Sequence, residues 1–315
     1  MISKEAKLIS DLAHPEEKPT RNGYGEGIVL AGEENKNVVV LCADLTESTR
    51  NEGFKKQFPE RFIQMGVHEQ LLAALAAGMA LEGKIPYITS YAMFCPGRAW
   101  EMIRTNICLN EVNVKIIGSH AGVSVGPDGA THQAIEDIAI MRPIPNMTIV
   151  APCDAIEARK ATVALLGVDG PCYARFAREK TPVFTTEETP FEIGEASVFR
   201  EGKDVAIIAC GPLVYEAIIA AEELAKEGID VRVVNSHTIK PLDEETVLAT
   251  AKECRAIVTV EEHQVTGGLG GAVAEYLSGA YPVPIERIGV QNKFGQSGKP
   301  KELIEYYGMG ESHIK

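Results

Sequence analysis

The sequence predicts an α/β protein of two domains, each a mainly parallel sheet flanked by helices. Three observations carry this. Short apolar runs alternate with helical stretches along the chain, the order that builds parallel sheets covered on both faces. Glycine is plentiful, 29 of 315 residues, while aromatics make up only 6%, which suits a fold with tight turns between strands and helices. The stretch "EKTPVFTTEETPFEIG" at 179–194, rich in Thr, Pro and Glu, breaks the alternation and reads as an interdomain connection. With 45% hydrophobic residues, the chain can fill two cores and exceeds the usual size of one. The expected division is a first domain over 1–184, a linker over 185–194 and a second domain over 195–315.

Taken in order, residues 1–20 read as a short helix ending near Pro15, then an irregular lead-in. A helix is expected over 23–36 and a buried strand over 37–45, "NVVVLCADL". "VHEQLLAALAAGMALEG" (67–83) is a helix that is apolar nearly all round and so is expected to be buried. Next come a strand over 85–91, a helix over 98–110, a strand over 112–122 that enters a glycine-rich loop at 118–131, and a helix over 132–142. A strand over 147–152, a helix over 154–167 and a strand over 171–178 complete the first domain. The second is expected to have strands near 204–210, 230–235, 256–261 and 284–288, and helices near 213–227, 243–253, 268–278 and 300–307.

Composition limits the function. The net charge is −13, from 31 Lys and Arg against 44 Asp and Glu, with no basic cluster, which argues against nucleic acid or an anionic membrane as partner. A phosphate-bearing substrate would have to meet positive charge placed locally. The seven cysteines, Cys42, Cys95, Cys108, Cys153, Cys172, Cys210 and Cys254, show no redox or metal-finger spacing and sit mostly in apolar runs. Free buried thiols and a cytoplasmic location are the simplest reading. The charged N-terminus does not resemble a signal peptide, and no stretch approaches the ~20 apolar residues of a membrane helix.

Chemistry-bearing residues fall in a few places. Glu69 opens the apolar helix at 67–83. It could simply complement the helix dipole. It could also be a carboxylate at the edge of a dry pocket, where proton affinity rises and a proton can be passed on. "GSHAGVSVGPDGATHQ" (118–133) follows a buried strand and offers His120, Asp128 and His132 at the sheet edge where open α/β folds bind ligands. Their spacing is not a zinc pattern, so no metal site is assigned. "CADLTEST" (42–49) lies at another strand end and offers Asp44 and Ser48. Arg21 and Arg175 stand near element ends, where a solvated charge is the common alternative. Tyr91 and Phe94 belong to "PYITSYAMF", in which aromatics could be core. "VTGGLGGAVAEYL" (265–277) superficially suggests nucleotide binding, but it lacks the G-x-G-x-x-G spacing and reads as a turn with close helix packing.

Together these pieces resemble the thiamine-diphosphate enzymes of the transketolase type, from about Arg21 to the end of the chain. "MGVHEQLLAALAAGMALEGKIPY" is similar to the family's glutamate motif and "GPDGATHQ" to its substrate loop. The resemblance makes 1–184 the pyrimidine-binding domain and 195–315 the transketolase C-terminal domain. It implies that Glu69 bonds N1′ of the cofactor's aminopyrimidine, that Tyr91 and Phe94 lie at the ring-stacking positions, and that Asp44 lies near the thiazolium ring. It implies that Asp128 and His132 bond sugar hydroxyls, with His132 and Asp128 counted beside Glu69 as catalytic. Arg21, Ser48, His120 and Arg175 correspond to positions that hold the substrate phosphate. Arginine makes charge-assisted, often bidentate bonds to phosphate, which fits a sugar phosphate better than a bare 2-oxo acid.

One part of the family pattern is missing. The diphosphate is normally anchored through Mg²⁺ by a G-D-G run, and here only "PDG" and "VDG" occur. The resemblance therefore implies the C-terminal subunit of a split transketolase. An N-terminal subunit would supply Mg²⁺ and the diphosphate contacts, in a heterotetramer that moves two-carbon ketol units between sugar phosphates of the pentose phosphate pathway. The alternatives are a 2-oxo acid dehydrogenase β-subunit, a deoxyxylulose-phosphate-synthase-like subunit, and a non-catalytic partner subunit.

Overall fold

The computed structural model describes residues 1–315. The chain opens in turns, not in the expected short helix, before β1 (Glu16–Pro19). Its backbone is committed elsewhere. Ser3 and Ile9 donate to the carbonyls of Phe199 and Phe184, and Ile2 bridges to Arg200, so the segment is laid along the second domain rather than coiled on itself.

The first domain follows as α1 (Thr20–Glu34), β2 (Val38–Cys42), α2 (Glu52–Gln57), β3 (Phe62–Gln64), α3 (Glu69–Leu81) and β4 (Ile85–Tyr91). Next are α4 (Trp100–Met102, continued by a π-helical turn over Ile103–Cys108), β5 (Lys115–Ser119), α5 (Asp137–Met141), β6 (Thr148–Val150), α6 (Ala155–Ala164) and β7 (Cys172–Arg175). β8 (Lys180–Val183) leaves this domain by pairing antiparallel with β1.

The second domain contains β9 (Ser197–Arg200), β10 (Val205–Ala209), α7 (Leu213–Lys226), β11 (Val231–Asn235), β12 (Thr238–Lys240) and α8 (Glu244–Cys254). It ends with β13 (Ile257–Gln264), α9 (Leu269–Ala280), β14 (Ile285–Val290), α10 (Pro300–Tyr306) and α11 (Glu311–Ile314). Its sheet runs β14-β13-β10-β11-β9, parallel except for β9.

The first sheet has seven strands in the order β12-β6-β7-β5-β4-β2-β3. Six are parallel and come from the first domain. The seventh, β12, is antiparallel and comes from the second domain. β2, β5 and β7 are buried along their whole length, as strands covered on both faces must be. All seven cysteines are buried and unbridged. No helix is long and apolar enough to cross a membrane.

Two further expectations are corrected. The helix placed at 132–142 shrinks to α5, because the backbone of 134–135 is spent on neighbours. The Ala134 carbonyl accepts from Gly122 N and Arg175, and that of Ile135 accepts from Gln264 N. α3 is not buried all round. Leu72, Ala73, Ala76 and Ala77 face the core, but Leu71 is 54% exposed and Leu81 is 70% exposed, with Val67 and Leu75 on the same open side.

Candidate active site

The site lies where the parallel strands β2, β4, β5 and β7 end, the edge at which open α/β sheets bind ligands. α1 brings Arg21 there in its first turn. The helix sits close because a Cβ at Gly23 would collide with the Ala155 carbonyl, and one at Gly27 would come within 2.7 Å of the Thr162 side chain. The loop after β2 is pinned by a buried polar network. Tyr24 Oη donates to Asn51 Oδ1 at 2.8 Å, and Asn51 Nδ2 donates to Thr89 Oγ1 on β4 at 2.8 Å and to Thr49 Oγ1.

An open cleft of about 370 Å³ results, bordered by Arg21, Ser48, Arg50, His120, Asp128 and Arg178, with Tyr91 and Glu47 beside them. Three arginines thus converge in a chain of charge −13. Arg21 Nη1 donates to the Ser48 carbonyl at 2.8 Å and lies 3.3 Å from His120 Nε2, while its Nε is buried without a partner. An arginine can only donate, so His120 Nε2 accepts and the ring proton belongs on Nδ1, 2.8 Å from Ser119 Oγ. Burial, then repulsion from Arg21, Arg178 and Arg50, pushes the His120 imidazolium pKa down to about 3. The ring is therefore neutral at physiological pH, set in positive surroundings. Asp44, Arg50 and His120 all have φ near +60°, a conformation costing non-glycine residues about 1–3 kcal/mol each.

Next to the cleft is an aromatic step. The Tyr91 ring stacks on His120 with centroids 3.9 Å apart. His132 meets Phe94 edge-on at 5.4 Å and Tyr91 at 6.2 Å, and its Nδ1 is 2.9 Å from Thr131 Oγ1. Beyond Phe94 lies Glu69, 1% exposed at the start of α3. Ser90 Oγ donates to its Oε1 at 3.4 Å and Arg98 Nη1 to its Oε2 at 3.2 Å.

The 123–128 loop carries Asp128 to the cleft rim and is braced by the second domain. Glu262 Oε1 accepts from Ser124 N at 2.6 Å, and Gln133 Nε2 donates to the carbonyls of Val123 and Gln296. Gly122, at φ +86°, allows the Glu262 carboxylate to come close, since a Cβ there would collide with it. Asp44 stands apart from the cleft at the end of β2, exposed, with Gln64 Nε2 donating to its Oδ1 at 3.2 Å.

The structure thus gathers Arg21, Ser48, Tyr91, His120 and Asp128 in one cleft, sets His132 and Phe94 beside it, and places Glu69 behind them. Arg175 does not belong to this group. It is 6% exposed inside β7, with Nε donating to Asp137 Oδ2 at 2.8 Å and Nη2 to the carbonyls of Ala134 and Glu262. Arg178, just past the strand end, is the arginine of "YARFARE" that reaches the cleft. A side chain inside a doubly covered strand points into packing, and one beyond its end can turn outward. That rule separates Arg175 from Arg178 once β7 is seen to end at Arg175. Arg50 and Arg98 were also missed, and nothing in their spacing marks them.

The glycine-rich turn at 265–270 is not a phosphate cradle. Leu269 N and Gly270 N, at the start of α9, donate to the buried Glu261 carboxylate at 2.7 and 2.8 Å. The chain's own anion fills that helix N-terminus.

Comparison with known proteins agrees with this architecture. Residues 16–183 match the transketolase pyrimidine-binding domain and residues 194–314 the transketolase C-terminal domain. The chain belongs to the transketolase family. A protein of Methanocaldococcus jannaschii, provisionally named a transketolase C-terminal section, is 46% identical over 95% of each chain. A Clostridium protein named a 6-deoxy-6-sulfo-D-fructose transketolase subunit is 40% identical over 95% of this chain and 93% of its own. Among solved structures, a split-gene transketolase in an inactive β4 tetramer superposes with a TM-score of 0.88 at 44% identity, covering 94% of this chain and 95% of that one. The chain is thus a transketolase C-terminal section, and in longer relatives such as mouse transketolase-like protein 2 it corresponds to 47% of the length.

Proposed function

We propose that the chain works as the C-terminal subunit of a split, thiamine-diphosphate-dependent transketolase that transfers ketol units between sugar phosphates. The observation that carries this reading is the convergence of Arg21, Arg50 and Arg178 on a cleft next to the buried Glu69, in an otherwise acidic chain. Isolated surface arginines would not leave a buried Nε without a partner, and a terminal phosphate supplies acceptors for all three.

The residues present fit the aminopyrimidine end of the cofactor. Glu69 offers a buried carboxylate, and Phe94 offers a ring beside it. Each aromatic has a neighbour over one face, His120 for Tyr91 and the half-exposed Arg98 for Phe94, and Phe94 is the one whose neighbour also bonds Glu69. Bound thiamine diphosphate supplies the carbanion chemistry by which ketol groups move. Arg21, Arg50, Arg178 and Ser48 bind the phosphate, and neutral His120 receives a donor from Arg21 while Ser119 fixes its ring. Asp128 and His132 orient the sugar hydroxyls, and Asp44 borders the thiazolium end. No group of three or more His, Cys, Asp or Glu side chains is disposed to hold a metal, and Mg²⁺ is assigned to the N-terminal subunit.

The partner has a surface to meet. The open side of α3 presents Leu71, Leu75 and Leu81 on the helix that Glu69 opens from its buried face, with Val67 exposed just before it. Apolar area of this kind marks an interaction surface. The inactive state of the related β4 tetramer supports the idea that such a subunit needs the other half. A cytoplasmic heterotetramer follows from this reading.

The test is ketol transfer from xylulose 5-phosphate to ribose 5-phosphate, with Mg²⁺ and thiamine diphosphate, using this chain alone and mixed with the N-terminal section. Activity in the mixture alone is expected. A sulfonated ketose belongs in the same assay, since the Clostridium relative is named for one. Activity on the sulfonate but not the phosphate would overturn the phosphate assignment, and activity on neither would overturn the reading.

A further inference from the structure

The arginine paired with Glu69 is not part of the phosphate cleft, and its position has a meaning of its own. Arg98 is half-exposed and follows Phe94 by one helical turn. Its guanidinium lies over the Phe94 ring, 5.1 Å from the centroid, and its Nη1 donates to Glu69 Oε2 at 3.2 Å. Glu69 Oε1 accepts from Ser90, so both carboxylate oxygens are engaged by the chain's own donors. A planar, donating group over Phe94 that bonds Glu69 makes the two contacts assigned above to the aminopyrimidine.

We propose that Arg98 is a latch that occupies the aminopyrimidine position in the free subunit and is displaced when thiamine diphosphate binds. This rests on the cofactor reading given above. The physical case comes from burial and charge. Glu69 is almost fully buried, and a lone carboxylate there would be unfavourable without a donor. Arg98 answers that need from the solvent side, with 48% of its side chain still exposed, so it can swing out into water at little cost. A residue that satisfied Glu69 from within the core could not leave. Ser90 stays in place and fixes the carboxylate plane through the exchange. The latch lowers the apparent affinity for the cofactor by the fraction of molecules in which it is closed. The pair is partly exposed, so the effect is modest, roughly fivefold.

The experiment titrates thiamine diphosphate with Mg²⁺ into the full chain mixed with its N-terminal partner, by calorimetry. Arg98→Gln is expected to bind roughly fivefold tighter than the unmodified chain. Arg98→Lys keeps the charge without the planar fork and is expected to fall between the two. In a Glu69→Gln background, Arg98→Gln is expected to change nothing further. In the free chain, thermal stability losses from Glu69→Gln and Arg98→Gln are expected to be non-additive, which reports the contact without any cofactor. Unchanged or weaker binding in Arg98→Gln, with the unmodified mixture binding normally, overturns the latch and leaves the cofactor reading standing. Additive losses in the free chain also overturn it. If the unmodified mixture takes up no cofactor, the cofactor reading falls and the latch with it. Should Arg98→Gln fail to fold, the Arg98→Lys comparison decides, and equal or weaker binding there counts against the latch.

Discussion

Arg175 and Arg178 are three positions apart and do different work. Arg175 is held inside β7 by Asp137 and two carbonyls, so Arg175→Ala would leave a buried carboxylate unpaired. Breaking such a pair costs about 3–5 kcal/mol, and the expected outcome is a large drop in unfolding midpoint rather than a selective loss on phosphorylated substrates. Arg178→Ala should leave the melting temperature nearly unchanged and raise KM for sugar phosphates about tenfold or more, the value of a charge-assisted bond, with little effect on unphosphorylated ketoses. Equal KM changes for both substrate kinds would remove Arg178 from the phosphate site. Glu69→Gln in the assembled enzyme should reduce turnover by at least about a hundredfold while the two sections still co-elute on a sizing column. Near-normal turnover would sink the role given to Glu69. At this scale the structure bears on position: Glu69 stands at a helix start, and His120 and Asp128 border one cleft from the loop past a strand end, as the sequence suggested. It misled at Arg175 because "YARFARE" does not announce where the strand stops.

Elements were read more reliably than residues, because period and apolar content decide them. The nine expected strands and the long helices fall where expected, but the short strands β1, β3, β8, β9 and β12, three or four residues each, were not foreseen, and other misses cluster where tertiary bonds outweighed local preference. The N-terminal segment gave its backbone bonds to Phe184 and Phe199, and the start of the 132–142 stretch gave its carbonyls to Arg175, Gly122 and Gln264. α3 is the informative error. An all-apolar helix was expected to be buried, and within this chain one side is not. The sequence pattern is that of a helix buried in an assembly. Replacing Leu71 and Leu75 with Glu should cost the free chain no more than about 0.5 kcal/mol, since both are already exposed. The same pair of changes should abolish co-purification with the N-terminal section. A complex of unaltered stability would move the interface off α3.

At the scale of the whole molecule, composition suggested a linker but said nothing of the traffic between domains. Glu157 sits at that junction, fully buried, with its carboxylate accepting from Cys153 N at 2.6 Å and Asn235 Nδ2 at 2.7 Å. Burial raises its pKa to about 7. A carboxyl that binds its proton more tightly when folded contributes stability below the unfolded value near 4.5 and loses it as pH rises toward 7. The change is at most about 3 kcal/mol. His120 and His237, pushed down to about 3 and about 4, act in the opposite sense, losing stability as pH falls below 6.5. The difference in unfolding free energy between the unmodified chain and Glu157→Gln, measured from pH 4.5 to 7.5, should therefore slope downward with pH for Glu157 alone. A flat difference would show that Glu157 does not titrate in that range.

The strand lent across the junction changes how the chain can be divided. β12 caps the edge of the first sheet at β6, with Thr238 opposite Val150 and Lys240 opposite Ile149. Ending the chain at the linker would leave β6 as a bare row of amide and carbonyl groups, open to any strand that arrives. The C-terminal domain thus covers an edge that the first domain alone would present to solvent. Proteolysis at the linker should then yield pieces that stay together, and recombinant first domains should form fibrillar or amorphous deposits.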